Sequence, residues 1–204
     1  MADQLYLSLW FPGFRFDSLP TALVKVLRQF SAVGSSSRVS AVTVFPISWN
    51  ESPVYQRIYS AEDGEQSIPE LAVAQATEFL HDDYAYEFEM KWELWTPELQ
   101  GDLDPIWRRS PQAVRVVGFG PEFDEGFFEQ NGHIRVDFGL ESPFLQEELE
   151  LDAESAEHVK ENVKMLVDLT NAIQANTGIS SRLLWSESGE SLAEKLIGRL
   201  QRLN

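Results

Sequence analysis

The sequence predicts an α+β protein in which antiparallel or mixed sheets carry helices on one face. From residue 86 to residue 94, even positions are apolar or aromatic and odd positions are charged. Successive strand side chains point to opposite faces, so this alternation indicates a long strand with one buried face and one face in water. Half-buried strands of this kind are typical of antiparallel or mixed sheets. Amphipathic helical stripes between the predicted strands complete the α+β pattern.

The first half, residues 1–96, has the predicted order β-α-β-β-α-β, which is the ferredoxin-like arrangement. In that topology the last strand lies beside the first. Asp17 or Ser18 caps the first helix, and the capping box from Ser67 to Glu70 opens the second, which ends near His81. Gly34 and the serines after it are predicted to form a loop. The predicted strands span residues 4–11, 39–49, 54–59 and 84–95.

Residues 97–112 are the predicted linker, because they contain three prolines and a glycine and show little apolar periodicity. Trp107 is expected to pin this linker to a surface. The second half, residues 113–204, is predicted as β-β-β-α-β-α and is expected to pack against the first half. Asn131-Gly132 indicates a type I′ hairpin turn between strands 127–130 and 133–140.

The other predicted elements of the second half follow the same signals. A strand at residues 113–119 comes first, and a short edge strand at residues 149–152 is a further possibility. A long helix starts near Ala153, and Gly178 is its expected left-handed C-terminal residue. A strand follows at residues 182–186. A second capping box, from Ser191 to Glu194, opens the closing helix.

Acidic residues dominate the charge: 33 Asp and Glu against 16 Lys and Arg give a formal net charge of −17. Such a surface repels phosphate backbones and anionic lipids, so nucleic acid and membranes are not predicted partners. It provides solubility, and it also suits a basic protein partner or cations. The chain has no cysteine, which removes disulfides and thiolate chemistry. With no signal peptide or spanning apolar segment, a cytoplasmic location is predicted.

The candidate polar cluster consists of His133, Arg135, Asp137 and His81. The first three alternate along one predicted strand face, which suits an ion pair between Arg135 and Asp137 or a small polar pocket. His81 and the two aspartates after it are read as a helix end and a turn, not as metal ligands. No metal or cofactor is predicted. The sequence contains none of the common hydrolase, metalloprotease or dinucleotide-binding motifs, so it assigns no catalytic residue.

Four tryptophans, Trp10, Trp49, Trp95 and Trp185, lie on or next to predicted strands. They are expected to be core residues if the second half covers the first sheet, and an interaction patch if it does not. The hypothesis for function is a non-enzymatic binding or protein-interaction module. The alternative is an enzyme with a diffuse site in the cleft between the halves. A third possibility is an acidic immunity or antitoxin-like protein that neutralises a basic partner.

Overall fold

The computed structural model describes residues 3–33, 38–78, 80–98, 105–147, 149–189 and 192–201. Its strands are Gln4–Trp10 (β1), Val39–Pro46 (β2), Tyr55–Ile58 (β3), Tyr84–Glu98 (β4), Ile106–Phe119 (β5), Ile134–Leu140 (β6) and Ser181–Ser186 (β7). Its α-helices are Leu19–Arg28 (α1), Pro69–Ala76 (α2), Phe128–Asn131 (α3), Ser142–Leu145 (α4), Ala153–Thr177 (α5) and Leu192–Gln201 (α6). Short 3-10 turns occur at Phe16–Ser18, Gln29–Val33, Ala61–Ser67 and Phe123–Glu125. The predicted α+β class is confirmed; the predicted loop at residues 34–37 and the cap residue Ser191 lie outside the described residues.

The seven strands form one antiparallel sheet with the order β3-β2-β4-β5-β6-β1-β7. The prediction of two separate sheets is therefore wrong, because β1 lies between β6 and β7. The order β-α-β-β-α-β of the first half is confirmed. The predicted ferredoxin-like pairing of its last strand with its first is wrong, since β4 pairs with β2 and β5. The hairpin partner β5 follows β4 directly in the chain and occupies the position predicted for β1.

Residues 97–112, predicted to be a linker, are strand residues in most of the stretch that the structure describes. β4 and β5 pair continuously from Ala85 with Phe119 to Glu98 with Ile106. The β4–β5 ladder extends past the neighbouring strand β2, because β2 reaches only Met90 of β4. Prolines are tolerated along such unpaired outer edges, so the prolines here do not break the strands.

The outer part of the β4–β5 ladder, at Trp95 and Trp107, is held by α5. The indole Nε1 of Trp107 donates to Ser155 Oγ at 2.9 Å, which agrees with the expected pinning role of Trp107. The His158 ring lies 4.0 Å from the Trp95 ring and 5.3 Å from the Trp107 ring, centroid to centroid. The buried Asn162 side chain accepts from the Trp95 backbone N–H at 2.9 Å and donates to the Trp95 carbonyl at 2.8 Å.

One face of the sheet is covered by α1, α2, α4 and α5 and contains the main apolar core. The alternating side chains of β4 from Tyr86 to Leu94 are at most 1% exposed, so the predicted dry face of this strand is confirmed. The Trp92 ring lies 5.5 to 6.4 Å from the rings of Phe30, Phe138 and Phe144. We call this side of the sheet the covered face and the opposite side the open face.

The predicted hairpin turn at Asn131-Gly132 is wrong. Phe128–Asn131 is a short helix, closed by a hydrogen bond of 3.0 Å from Gly132 N–H to the Phe128 carbonyl. Gly132 has φ 92°, and a Cβ at this position would lie 2.7 Å from the backbone nitrogen of Leu9. The glycine is thus required by close packing against β1, and the aromatic residues before it pack onto the end of the open face.

Helix ends follow the predictions only in part. Ser67 does not cap α2, which starts after Ile68 and ends at Ala76, before the predicted end near His81. The capping box lies earlier, where Ser60 and Asp63 bond reciprocally. Residues 149–152 are not a strand, and the Asp152 side chain caps α5 by accepting from Ser155 N–H at 2.8 Å. Gly178 ends α5 in the left-handed conformation, as predicted.

Candidate functional site

Two rows of side chains cross all seven strands on the open face. They follow from the strand register, in which residues opposite each other on neighbouring strands point to the same side. The first row is Ile58, Ala41, Glu89, Arg115, Asp137, Tyr6 and Trp185. The second row is Gln56, Thr43, Glu87, Val117, Arg135, Ser8 and Leu183. The five charged members all lie on the central strands β4, β5 and β6.

Charges of opposite sign alternate in the first row, but the ion pairs that join them differ in quality. Glu89 is well held, with Lys91 Nζ at 2.9 Å and Ser40 Oγ at 2.8 Å. Arg115 is held loosely, because its Nε lies 3.9 Å from Glu87 and its terminal nitrogen lies 4.0 Å from Asp137. At these distances the guanidinium makes no short, directed hydrogen bond to either carboxylate.

Glu87 is the least compensated carboxylate of the two rows. Its side chain is 21% exposed, and among the described residues no hydrogen bond reaches its oxygens. Burial raises the pKa of the Glu87 carboxyl, and the nearby Arg115 opposes that shift. A carboxylate that is partly desolvated and has no hydrogen-bonding partner is stabilised when a cation approaches it.

A groove of about 420 Å³ lies beside Glu87 on the open face. Its walls come from β2, β3, β4 and β5, and they combine polar, charged and apolar side chains. The lining residues that matter most for binding are Ser40, Thr43, Gln56, Ile58, Glu87 and Arg115. The groove is therefore a shallow polar surface with one large apolar side chain at its edge, since Ile58 is 76% exposed.

Arg135 lies among three aromatic rings. Its guanidinium carbon is 4.7 Å from the Tyr6 ring centroid, 5.0 Å from that of Phe127 and 5.6 Å from that of Phe119. Its Nε is buried and has no hydrogen-bond partner among the described residues. Burial lowers the pKa of the Arg135 guanidinium, while Tyr6 and the neighbouring carboxylates oppose that shift. The rings, rather than an ion pair, hold this side chain in place.

Asp137 does not form the ion pair with Arg135 that its spacing allowed. Its Oδ1 accepts from the backbone N–H of Gly139 at 2.8 Å, and its other oxygen faces Arg115 at 4.0 Å. Arg115 reaches Asp137 because β5 and β6 place the two residues directly opposite each other. The predicted pairing within β6 is thus replaced by pairing across strands.

His133 is packed at the end of the same face. Its Nδ1 accepts from the Phe11 backbone N–H at 3.0 Å, and its ring stacks on Phe14 with centroids 4.0 Å apart. Burial lowers the pKa of the His133 imidazole. One ring nitrogen thus accepts from the backbone and one ring face is covered, so the side chain is held in place.

His81 lies apart from the other three members of the predicted cluster. It lines a separate cavity of about 350 Å³, together with Val44, Tyr55 and other residues between α2 and the edge of the sheet. Its ring is 4.5 Å from the Tyr84 ring, and its backbone N–H donates to the Tyr86 hydroxyl at 2.9 Å. The structure therefore brings Arg135 and Asp137 together on one surface, places His133 at its end, and leaves His81 elsewhere.

An aromatic cluster closes one end of the open face. Trp49 is its centre, with ring centroids 5.1 to 6.3 Å from those of Phe45, Phe119, Phe123 and Phe127. Trp49, which was predicted to be either a core residue or part of an interaction patch, is thus packed like a core residue. Trp185 lies at the other side of the face, 4.6 Å from the Tyr6 ring, and its Nε1 donates to the buried Ser8 hydroxyl at 3.0 Å.

Sequence reasoning missed Glu87, Arg115 and Tyr6 as members of one surface. The alternation in β4 did predict that Glu87 points away from the core. It could not show that Arg115 and Asp137 continue the same row, because that follows from strand order. The sequence does contain a signal for the aromatic cluster, because Phe119, Phe123 and Phe127 recur every fourth residue.

Within the described residues, no set of three or more His, Asp or Glu side chains is arranged to hold a metal ion. In the same residues, no helix combines the length and apolar character that crossing a membrane requires. Comparison of the chain with protein-family models, curated proteins and solved structures finds no match.

Proposed function

We propose that the protein is a non-enzymatic protein-interaction module that binds a basic partner through the open face of its sheet. The observation that carries the proposal is the half-buried Glu87 carboxylate, which accepts no hydrogen bond from the described residues and lies beside a groove. A lysine or arginine side chain of a partner supplies the missing donors at this position. Binding at a desolvated carboxylate gives orientation as well as attraction.

The net charge of −17 supports the choice of a basic partner. A strongly acidic protein accelerates its encounter with a basic one, and that attraction weakens as salt screens the charges. The loose ion pairs of Arg115 also support the proposal. Its contacts to Glu87 and Asp137 are long, so both carboxylates remain available to an incoming cation.

The contacts of the remaining polar residues favour binding over catalysis. His133, the residue with the most suitable chemistry for a general base, is bonded to the Phe11 backbone N–H and stacked on Phe14. Arg135 is packed among three rings and does not reach a carboxylate in the described residues. These geometries support a rigid surface and do not assemble a nucleophile with a base.

The test uses a short arginine-rich peptide as the probe and isothermal titration calorimetry at low and physiological salt. Removing both open-face carboxylates with the double variant Glu87→Gln, Asp137→Asn is expected to weaken binding about tenfold, or about 1.4 kcal/mol. The matched control is Glu154→Gln, Asp168→Asn, which removes the same charge from exposed positions on α5. We expect this control to change affinity by less than about twofold.

Two outcomes contradict the proposal. If the control variant loses as much affinity as the open-face variant, the peptide senses only the overall charge. If the wild-type protein does not bind the peptide even at low salt, the open face does not recognise a basic partner.

A further inference from the structure

The cavity of about 350 Å³ that His81 lines lies at one corner of the covered face. Val44 of β2 lies opposite Tyr55 on β3 and Tyr86 on β4, so these three side chains point to the covered side of the sheet. Tyr84 comes two residues before Tyr86 on β4 and points the same way. Tyr86 is fully buried, whereas Tyr55 and Tyr84 are only half-buried. Two rings of the covered face therefore remain accessible at this corner.

The corner is accessible because α2 ends before it covers Tyr84. Thr77, the residue after the helix, has φ −106° and ψ 17°, outside the α-helical region. Its backbone N–H and its hydroxyl donate to the Val73 carbonyl at 2.9 and 2.8 Å, which closes the last turn. Gln75 and Ala76, at the end of the helix, form one wall of the cavity.

Two tyrosine rings and an imidazole form the aromatic part of the lining. The His81 ring lies 4.5 Å from the Tyr84 ring, centroid to centroid. Within the described residues no ring contact joins Tyr55 to either of them, so a gap separates Tyr55 from that pair. Buried Val44 and Ala76 make the floor apolar. Ring faces carry negative charge density, so such a lining attracts organic cations.

Glu78 supplies the charged group of the lining. Its side chain is exposed, and in the described part of the chain no hydrogen bond or ion pair reaches its carboxylate. An exposed carboxylate alone binds an ion weakly, because water and salt screen the charge. The neighbouring rings add selectivity for a cation whose charge is surrounded by carbon, since such a cation can contact a ring face directly.

Gln75 adds a hydrogen-bond donor to the lining. Its Oε1 accepts from Arg57 Nη1 at 2.9 Å and from the Tyr59 hydroxyl at 3.3 Å. These bonds fix the oxygen, and the NH2 group makes no hydrogen bond to the described residues. Arg57 does not oppose a cation in the cavity strongly, because its own charge is paired with Asp63 at 3.2 Å.

We propose that this corner cavity binds a small organic cation that carries a methylated ammonium group. Tyr55 and Tyr84 contact the methyl groups, and Glu78 balances the charge. The Gln75 NH2 group donates to an oxygen of the ligand. The volume of about 350 Å³ lies within the range of about 300–1,000 Å³ that is usual for small-molecule sites.

The first experiment titrates choline into the full chain and follows the methyl signal of choline by proton NMR. Methyl groups over ring faces give upfield shifts, so binding is expected to produce an upfield shift that saturates. The ligand control is the neutral carbon analogue of choline, in which a tert-butyl group replaces the trimethylammonium group. It has the same shape without the charge and is expected to bind at least about fivefold more weakly.

Protein variants test the two walls. Tyr84→Leu removes a ring and is expected to weaken choline binding about fivefold, whereas Tyr84→Phe keeps the ring and should stay within about twofold of wild type. Glu78→Gln is expected to weaken binding about threefold and, at an exposed position, tests the site even if Tyr84→Leu does not fold. The matched control Glu154→Gln removes the same charge from an exposed position on α5 and should leave the affinity unchanged.

The cavity and the open-face groove have different linings, so their ligands are tested separately. Glu87→Gln should leave choline binding unchanged, and Glu78→Gln should leave binding of the arginine-rich peptide unchanged. Phosphatidylcholine vesicles present the same ammonium group on a lipid. Protein that binds choline and stays in the supernatant identifies a free cation as the ligand, whereas protein that sediments with the vesicles identifies a lipid headgroup.

Three results would each overturn the proposal. The first is equal affinity for choline and its neutral analogue. The second is a choline methyl signal that does not shift at any concentration. The third is wild-type affinity in both Tyr84→Leu and Glu78→Gln, with circular dichroism showing that both variants are folded.

Discussion

The two faces of the sheet are built from the same strands and have opposite chemistry. On the covered face, Tyr86, Phe88 and Trp92 are fully buried under helices. On the open face, Glu87, Arg115 and Asp137 remain partly in water and contact one another at long distances. The buried apolar side chains of the covered face stabilise the fold. The charged side chains of the open face lack close partners and so remain available for binding.

The largest expected effect comes from truncating the centre of the covered face. Trp92→Ala removes a fully buried ring that packs against Phe30, Phe138 and Phe144, and it should cost about 3–5 kcal/mol of unfolding free energy. Urea denaturation measures this loss. Glu87→Gln on the open face is the comparison and should change stability by less than about 0.5 kcal/mol. Similar losses in both variants would remove the distinction between the faces.

A smaller effect is expected from adding one methyl group. A Cβ on Gly118 would lie 2.8 Å from the Leu19 side chain, because α1 packs closely over β5. Gly118→Ala is expected to destabilise the protein by about 1–3 kcal/mol, the usual range for overpacking. Ala41→Val adds bulk on the open face and should be tolerated. Thermal unfolding of both variants decides whether the tight fit is confined to the covered face.

Arg135 sharpens the comparison because it is an open-face residue held by packing. Arg135→Ala removes the stem that lies among Tyr6, Phe119 and Phe127, and we expect a loss of about 1–2 kcal/mol. Arg135→Met keeps an unbranched apolar stem and removes the Nε that has no partner in the described residues, so its loss should be below about 1 kcal/mol. Equal losses from the two substitutions, measured by urea unfolding, would show that charge and not packing holds the residue.

The smallest expected effect concerns pH at the end of the open face. Burial lowers the pKa of His133, so the folded state favours the neutral ring. The unfolded chain then binds the proton first, and stability present above the ordinary value of 6.5 is lost as the pH falls below it. His133→Gln can still accept from the Phe11 N–H but does not titrate. Its stability should therefore depend less on pH below 6.5 than that of wild type, as pH-dependent urea unfolding would measure.

Local patterns predicted much of the secondary structure. The alternation in β4 placed Glu87 and Glu89 on one side of the strand and the rings on the other, and the structure agrees. The start of α5 near Ala153 and its end at Gly178 were also predicted. These features depend on side chains a few residues apart, so the sequence contains the information directly.

Long-range pairing accounts for the failures. Asn131-Gly132 has the residues of a hairpin turn, but the packing of Phe127 and Phe128 against the open face makes that segment helical. The candidate site was likewise only half predicted. Arg135 and Asp137 were selected for lying on one strand face, while Arg115 joined them only through the pairing of β5 with β6.

The sequence by itself determined which side of each strand is apolar, where most helices run, and that the surface is strongly acidic. Only the tertiary structure decided that seven strands share one sheet, that charged residues form rows across it, and that β7 lies at an edge. The reason is physical: side-chain direction repeats every two or 3.6 residues along the chain, whereas strand order depends on contacts between residues far apart in sequence.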